Sequence, residues 1–184
     1  MYEVEFIKKL NLEGKHKVST LLNNMFRFQD DCLVLNDCKQ FSRYYNSIYP
    51  NEMILENTNV NAMESNYLDL SITLRNGFFS YKSYDKRDDY TFEVIKYPDL
   101  SGNIPIKPSY GVFVSQCKRF AEVNSVLQNF VEDIKTLHSR FIIQGFTSGI
   151  LRERFNTFAN KNFYLWCKFG VDIRSPEVMN QIFE

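Results

Sequence analysis

Two adjacent carboxylates, Asp30 and Asp31, end the stretch Phe28-Gln29-Asp30-Asp31, which stands between short apolar runs, Asn24-Met25-Phe26-Arg27 before it and Cys32-Leu33-Val34-Leu35 after it. Apolar runs joined by a short polar stretch predict two strands and a tight turn, which puts the aspartates at a hairpin tip. Carboxylates presented together are hard oxygen ligands of the kind Mg²⁺ takes. Two such ions held a few ångström apart can clamp the attacking and leaving oxygens of nucleotidyl transfer. An Asp-Asp pair is also an ordinary turn signal. Asp30 is, moreover, the first aspartate in the sequence.

Other candidate groups carry less chemistry. Asp85, Asp88 and Asp89 flank Lys86 and Arg87 and predict a solvated, self-neutralising turn. His16 and His138 have no partner at useful spacing. Cys32, Cys38, Cys117 and Cys167 are scattered without a Cys-x-x-Cys pair, so free and mostly buried thiols are expected. Trp166 with Phe163, Tyr164 and Phe169 makes an aromatic cluster. Core packing is the expectation there, and base stacking the alternative.

Several elements must position these groups. Tyr2, Val4, Phe6, Ile7 and Leu10 predict a short helix ending near Gly14, and the carboxylate hairpin follows at 25–35. Asn36-Asp37 offers an N-cap for a helix carrying Phe41, Tyr44, Tyr45 and Ile48, stopped by Pro50. Met53-Ile54-Leu55 reads as a strand and 57–66 as a polar turn region. Leu68, Leu70, Ile72 and Leu74 alternate with Asp69, Ser71 and Thr73, and Asn76-Gly77 turns the chain into Phe78-Phe79-Ser80-Tyr81. The apolar face of this hairpin is expected to pack inward and the polar face to stay available. Phe92–Ile95 reads as one more strand, and the Pro/Gly-rich stretch 97–105 as a subdomain boundary. Three helices follow: one through Tyr110, Phe113, Val114 and Cys117; a stripe from Val126 to Phe141 closed by Gly145; and one capped by Ser148 and running through Phe158. Strands first and helices afterwards predict an α+β architecture.

Composition bounds the class. Of 184 residues 44% are apolar and 16% aromatic, enough for a real core and incompatible with a disordered chain. No apolar run approaches the length of a membrane span, and the acidic N-terminus lacks the plan of a signal peptide. An intracellular protein, nuclear or cytoplasmic and without a membrane partner, is expected. Net charge is zero, but residues 1–106 carry 12 Lys/Arg against 15 Asp/Glu and residues 107–184 carry 10 against 7. That basic excess suits a phosphate backbone, or is simply a solvated surface.

Phe28-Gln29-Asp30-Asp31 on a hairpin resembles the aromatic-x-Asp-Asp motif of reverse transcriptases. Tyr67-Leu68-Asp69-Leu70, Tyr81-Lys82-Ser83-Tyr84-Asp85-Lys86-Arg87 and Gln144-Gly145-Phe146 are similar to the downstream part of such enzymes in Penelope-like and related eukaryotic retroelements. The resemblance runs from about Asn23 to Phe158. It implies a partial polymerase palm over 1–105, made of antiparallel hairpins with a helix, then a helical thumb-like bundle over 106–184. The 67–84 hairpin would grip a primer through Ser71, Thr73 and Lys82. Lys118, Arg119, Lys135, Arg140, Arg152 and Arg154 would line a thumb surface against an RNA/DNA template-primer hybrid. Asp30 would be the principal Mg²⁺ ligand and Asp31 the weaker one. The family also uses an aspartate on an earlier palm strand, together with fingers, and the 29 residues before Asp30 are too few for these. The chain therefore looks like a C-terminal portion of a reverse transcriptase that holds Mg²⁺ weakly or not at all and lacks activity alone. A missing N-terminal half or self-association would cover the exposed palm edge. The alternative is a retroelement-derived module that binds nucleic acid or protein without catalysis.

Overall fold

The computed structural model describes residues 2–35, 40–59, 61, 63–92 and 94–184, the side chains of Gln40 and Asp88 excepted. The fold is α+β, with eight α-helices and two small antiparallel sheets of two and three strands among the described residues. No helix among them is long and apolar enough to cross a membrane. Contacts divide the chain into two compact units, Met1–Asn59 and Val60–Glu184. The division falls well before the 105/106 boundary that the Pro/Gly-rich stretch suggested. Hydrogen bonds from the three-stranded sheet to the helices that follow put both in one unit.

In the first unit, α1 (Tyr2–Leu12) and α2 (His16–Leu22) precede the hairpin of β1 (Met25–Phe28) and β2 (Asp31–Val34), and α3 (Gln40–Ile48) follows. The proposed Asn36-Asp37 cap lies outside the described residues. A small core of Leu10, Leu22, Ile48 and Tyr49 joins the three helices, with Phe6, Ile7, Val18 and Tyr45 packed against it. Met53-Ile54-Leu55 is not a strand. Leu55 packs against this core, whereas Ile54 is exposed, and among the described residues no strand pairs with them.

The second unit opens with β3 (Glu64–Tyr67), β4 (Leu70–Arg75) and β5 (Phe78–Ser83), paired in that order. The predicted strand 68–74 begins later, because Leu68 sits in a two-residue turn with a φ of +54° and Tyr67 pairs directly with Leu70. β3 occupies the end of the stretch read as polar turn. Asn76 and Gly77 take φ values of +51° and +79°, as the short hairpin turn between β4 and β5 demands.

Phe92, Val94 and Ile95 form no strand, and Glu93 lies outside the described residues. Instead a 3₁₀ turn at Lys86–Asp89 is capped by Asp85, Tyr90 stacks on Phe92, and Lys96 returns to Asp85.

The helices α4 (Ile106–Val123), α5 (Leu127–Ile143), α6 (Ser148–Lys161), α7 (Tyr164–Phe169) and α8 (Pro176–Phe183) complete the unit. Phe113, Cys117, Phe130, Ile134, Leu137, Phe141, Leu151 and Phe155 are fully buried at their centre. The stripe on α5 is buried from Phe130 onward, but Val126, at the N-cap, is 44% exposed. Phe146 N–H donates to Phe141 O and Gly145 N–H to Ile142 O, the paired bonds of a helix end that requires positive φ at Gly145. Ser148 does not cap α6. Thr147 holds the cap position without a side-chain bond, and the Ser148 hydroxyl hydrogen-bonds His138 Nε2 at 2.9 Å.

Candidate functional site

Asp31 opens β2 opposite Phe28, and Gln29-Asp30 form the two-residue turn between them. Gln29 carries a φ of +52°, a region that non-glycine residues seldom occupy. Both aspartates are exposed, and neither side chain makes a hydrogen bond or ion pair among the described residues.

The hairpin is held from below. Arg27 Nε donates to Gln29 O at 2.8 Å, and its Nη1 donates to Glu3 Oε1 at 2.6 Å. Tyr49 Oη donates to the same Glu3 oxygen at 2.8 Å, and the Arg27 guanidinium lies over the Tyr49 ring. Partial burial would raise the Glu3 carboxyl, but backbone, Arg27 and Tyr49 hydrogen bonds outweigh it and bring the pKa down to about 2. Burial, then the bond to Glu3, raises the Tyr49 phenol. Sequence reasoning missed this trio. Its members are separated by 24 and 46 positions, and no local pattern marks them.

Among the described residues no group of three or more His, Cys, Asp or Glu is placed to hold a metal ion. Asp30 and Asp31 supply two open carboxylates and nothing further. Mg²⁺ demands octahedral oxygen ligation, and two adjacent exposed carboxylates leave most of that shell to water or substrate phosphate. The residues present do not by themselves fit a resident two-metal centre.

Ser71, Thr73 and Lys82 share one face of the sheet, since Ser71 and Lys82 pair directly across β4 and β5. That face is not the open polar surface expected. Ser71 is 3% exposed and donates to Glu64 Oε1, while Thr73 is half-buried and Lys82 exposed. On the apolar face Leu70, Ile72 and Leu74 are half-buried and Phe79 is exposed.

The six cations expected to line a thumb surface are spread over α4, α5 and α6. Arg152 and Arg154 on α6 are exposed but about 200° apart around the axis, flanking the buried stripe of Leu151, Phe155 and Phe158. Lys135 and Arg140 are likewise split on α5. Lys118 is exposed near Glu122. Arg119 pairs with Asp69 at 3.0 Å.

Arg119 and Arg140 do meet, in a recess of about 110 Å³ lined also by Ser83, Tyr84, Asp85, Tyr97, Asp133 and Thr136. Its charges are largely matched from within. Arg87 binds Asp85 through Nε and Nη2, and Lys96 Nζ approaches at 3.0 Å, so the Asp85 carboxyl is held far below the ordinary range, the Arg87 bonds contributing most. Asp133 accepts from Ser83 Oγ at 2.5 Å and Asn124 Nδ2 at 2.7 Å, yet burial raises its pKa above the usual value. Ser83 and Asp133 are thus a hydroxyl on a carboxylate, but Asn124 binds the same oxygen and no histidine or cysteine lines the recess among the described residues.

His138 is half-buried, held by Ser148 and by an edge contact with Phe183, and burial lowers its pKa. Of the described cysteines only Cys117 is buried; Cys32 is half-buried and Cys167 exposed, against the expectation of mostly buried thiols.

Comparison with known proteins found no matching family model, no curated protein of significant similarity and no matching solved structure.

Proposed function

We propose that these residues are the carboxylate-hairpin and thumb portion of a reverse-transcriptase-type RNA-directed DNA polymerase, without polymerase activity as a 184-residue polypeptide. The observation that carries the reading is the Asp30-Asp31 pair, presented exposed at the tip of a two-residue hairpin whose first turn residue, Gln29, takes a positive φ. Element order adds support: carboxylate hairpin, helix, antiparallel sheet, then a bundle of α4, α5 and α6. In this reading Asp30 is the principal carboxylate, Asp31 the auxiliary one, and Mg²⁺ binds the pair only weakly.

Primer extension tests the first half. No incorporation is expected from the 184 residues with Mg²⁺ and a homopolymer template, and extension abolished by Asp30→Ala would overturn the judgement. The thumb half predicts weak binding of an RNA/DNA hybrid, without sequence preference, that falls steeply as salt rises. Because Arg152 and Arg154 occupy opposite flanks of α6, only the one facing the duplex should matter. Reversing one charge should weaken binding of unrelated sequences equally, and reversing the other should leave it unchanged. Anisotropy titrations at two salt concentrations read this out. Salt-independent binding would remove the thumb from the proposal.

A further inference from the structure

Phe163, Tyr164 and Trp166 were expected in the core, and they are not there. Their exposures are 73%, 46% and 58%, while Leu165 is fully buried and Phe169 stacks on Phe130 at 5.3 Å. Helical geometry explains the split. At 100° per residue Leu165 and Phe169 share the inward side of α7, and Phe163, Tyr164, Trp166 and Cys167 fill the outward arc. Phe163 and Trp166 are three apart and so are surface neighbours. None of the three outward rings contacts another aromatic ring among the described residues.

The chain segment that carries the arc is basic, with the Glu122 carboxylate of α4 acting on Lys168. From Arg154 to Val171 the sequence holds Arg154, Lys161 and Lys168 and no Asp or Glu. Lys161 is exposed and makes no hydrogen bond or ion pair among the described residues. Lys168 is fixed beside the arc, its Nζ donating to Ala121 O at 2.6 Å and Glu122 O at 3.1 Å. The nearest following acid, Asp172, is occupied by the Arg174 guanidinium at 2.6 Å. Flat π faces with a positive rim match an unpaired nucleobase with its phosphate, because every base offers a face for stacking and every phosphate a charge. A helix lying in a membrane interface also carries Trp and Phe beside basic residues, but with leucine among the outward side chains. Here the aliphatic residue, Leu165, points in.

We infer that the outward arc of α7, centred on Phe163 and Trp166 with Lys161 at its rim, is a stacking platform for single-stranded nucleic acid. This inference uses residues separate from the carboxylate hairpin and from Arg152, and it stands whether or not the polymerase reading does. Trp166 is the sole tryptophan, so its fluorescence reports the site directly.

Titration with a single-stranded oligothymidylate at low salt should quench Trp166. A duplex of equal length, inorganic polyphosphate and anionic phosphatidylserine vesicles should each quench it several-fold less. Phe163→Ala should weaken oligonucleotide binding about tenfold with the far-UV spectrum unchanged, since stacking on one ring contributes on that order. For Trp166→Leu, anisotropy of a labelled oligonucleotide replaces the lost signal and should show a similar loss. Equal response to polyphosphate would reduce the site to charge alone. A blue shift with vesicles and none with oligonucleotide would make it a membrane contact. Unaltered oligonucleotide binding in both variants would place the strand elsewhere. Each of these results overturns the inference, whereas a loss of hybrid binding on reversing Arg152 bears on the thumb alone.

Discussion

At the scale of single residues, the exposed aspartates depend on a neighbour with no catalytic part to play. Glu3 receives both Arg27 and Tyr49, and its folded-state carboxyl titrates near 2 against an ordinary 4.5. A depressed carboxyl contributes stability that is complete above the unfolded value and lost as pH falls through the folded one. Glu3→Gln should therefore destabilise the chain by a constant amount above about pH 4.5, with the gap from wild type closing towards pH 2. Urea denaturation followed by far-UV circular dichroism across that range measures it; a gap unchanged by pH would mean that the carboxylate charge does not matter. Asp133 runs the other way. Its raised pKa means that the folded state prefers the protonated form, so the ionised carboxylate costs stability as pH rises above the ordinary value. Asp133→Asn keeps an oxygen for Ser83 and Asn124. It should raise the melting temperature at pH 7, with the gain shrinking as pH approaches 4. The Asp-Asp turn was legible from its apolar flanks, whereas these two supports were not. Each joins residues many positions apart, and a carboxylate's partner across a core leaves no local trace in sequence.

Among the elements, those with strong period and a clear stop were readable in advance. The α5 stripe and its Gly145 terminus are the best instance, and removing its centre should be costly. Phe130→Ala is expected to destabilise by about 3–5 kcal/mol, through lost burial and the cavity left behind. Val126→Ala, at the exposed start of the same stripe, should change stability by less than about 0.5 kcal/mol. Thermal denaturation of the two variants tests whether the helix boundary is real. The misread elements were short apolar runs without a partner, Met53–Leu55 and Phe92–Ile95. An apolar triplet becomes a strand only when another strand supplies its hydrogen bonds, and sequence alone does not show where that strand lies. The β4 face was misjudged for a related reason. Alternation revealed that the two faces differ, but burial of Ser71 depends on its surroundings, Glu64 and Lys82 included, and not on its own polarity. On α7 a run of aromatics suggested a core, and helical angle decided otherwise.

For the molecule as a whole, two units with cores of very different size predict uneven resistance to unfolding. Among the described residues the first rests on four buried apolar side chains and the second on twenty. Amides of β1 and β2 should exchange with solvent well before those of α4 and α5. Limited digestion at Glu52 or Glu56, both exposed in irregular chain, should release a fragment beginning near Asn57 that keeps most of its helical signal. Collapse of that signal on cleavage would show that the two units fold as one.

The link between α4 and α5 bears on how copies of the chain can meet. Ser125 N–H donates to Tyr81 O at 2.8 Å, Tyr81 N–H reaches Ser125 Oγ, and Ser83 N–H reaches Asn124 Oδ1. The outer rim of β5 is thereby taken up along half its length, and Phe78–Ser80 alone is short for docking a strand. On the β3 side, among the described residues, Glu64 pairs back to Asn61 and Ser65–Tyr67 pair only with β4. A ribbon that can add a neighbour on one side ends at two molecules. Concentrated protein should yield discrete pairs rather than fibres, and Ser125→Pro, by withdrawing both hydrogen bonds to Tyr81, should be the change that lets the pairs grow.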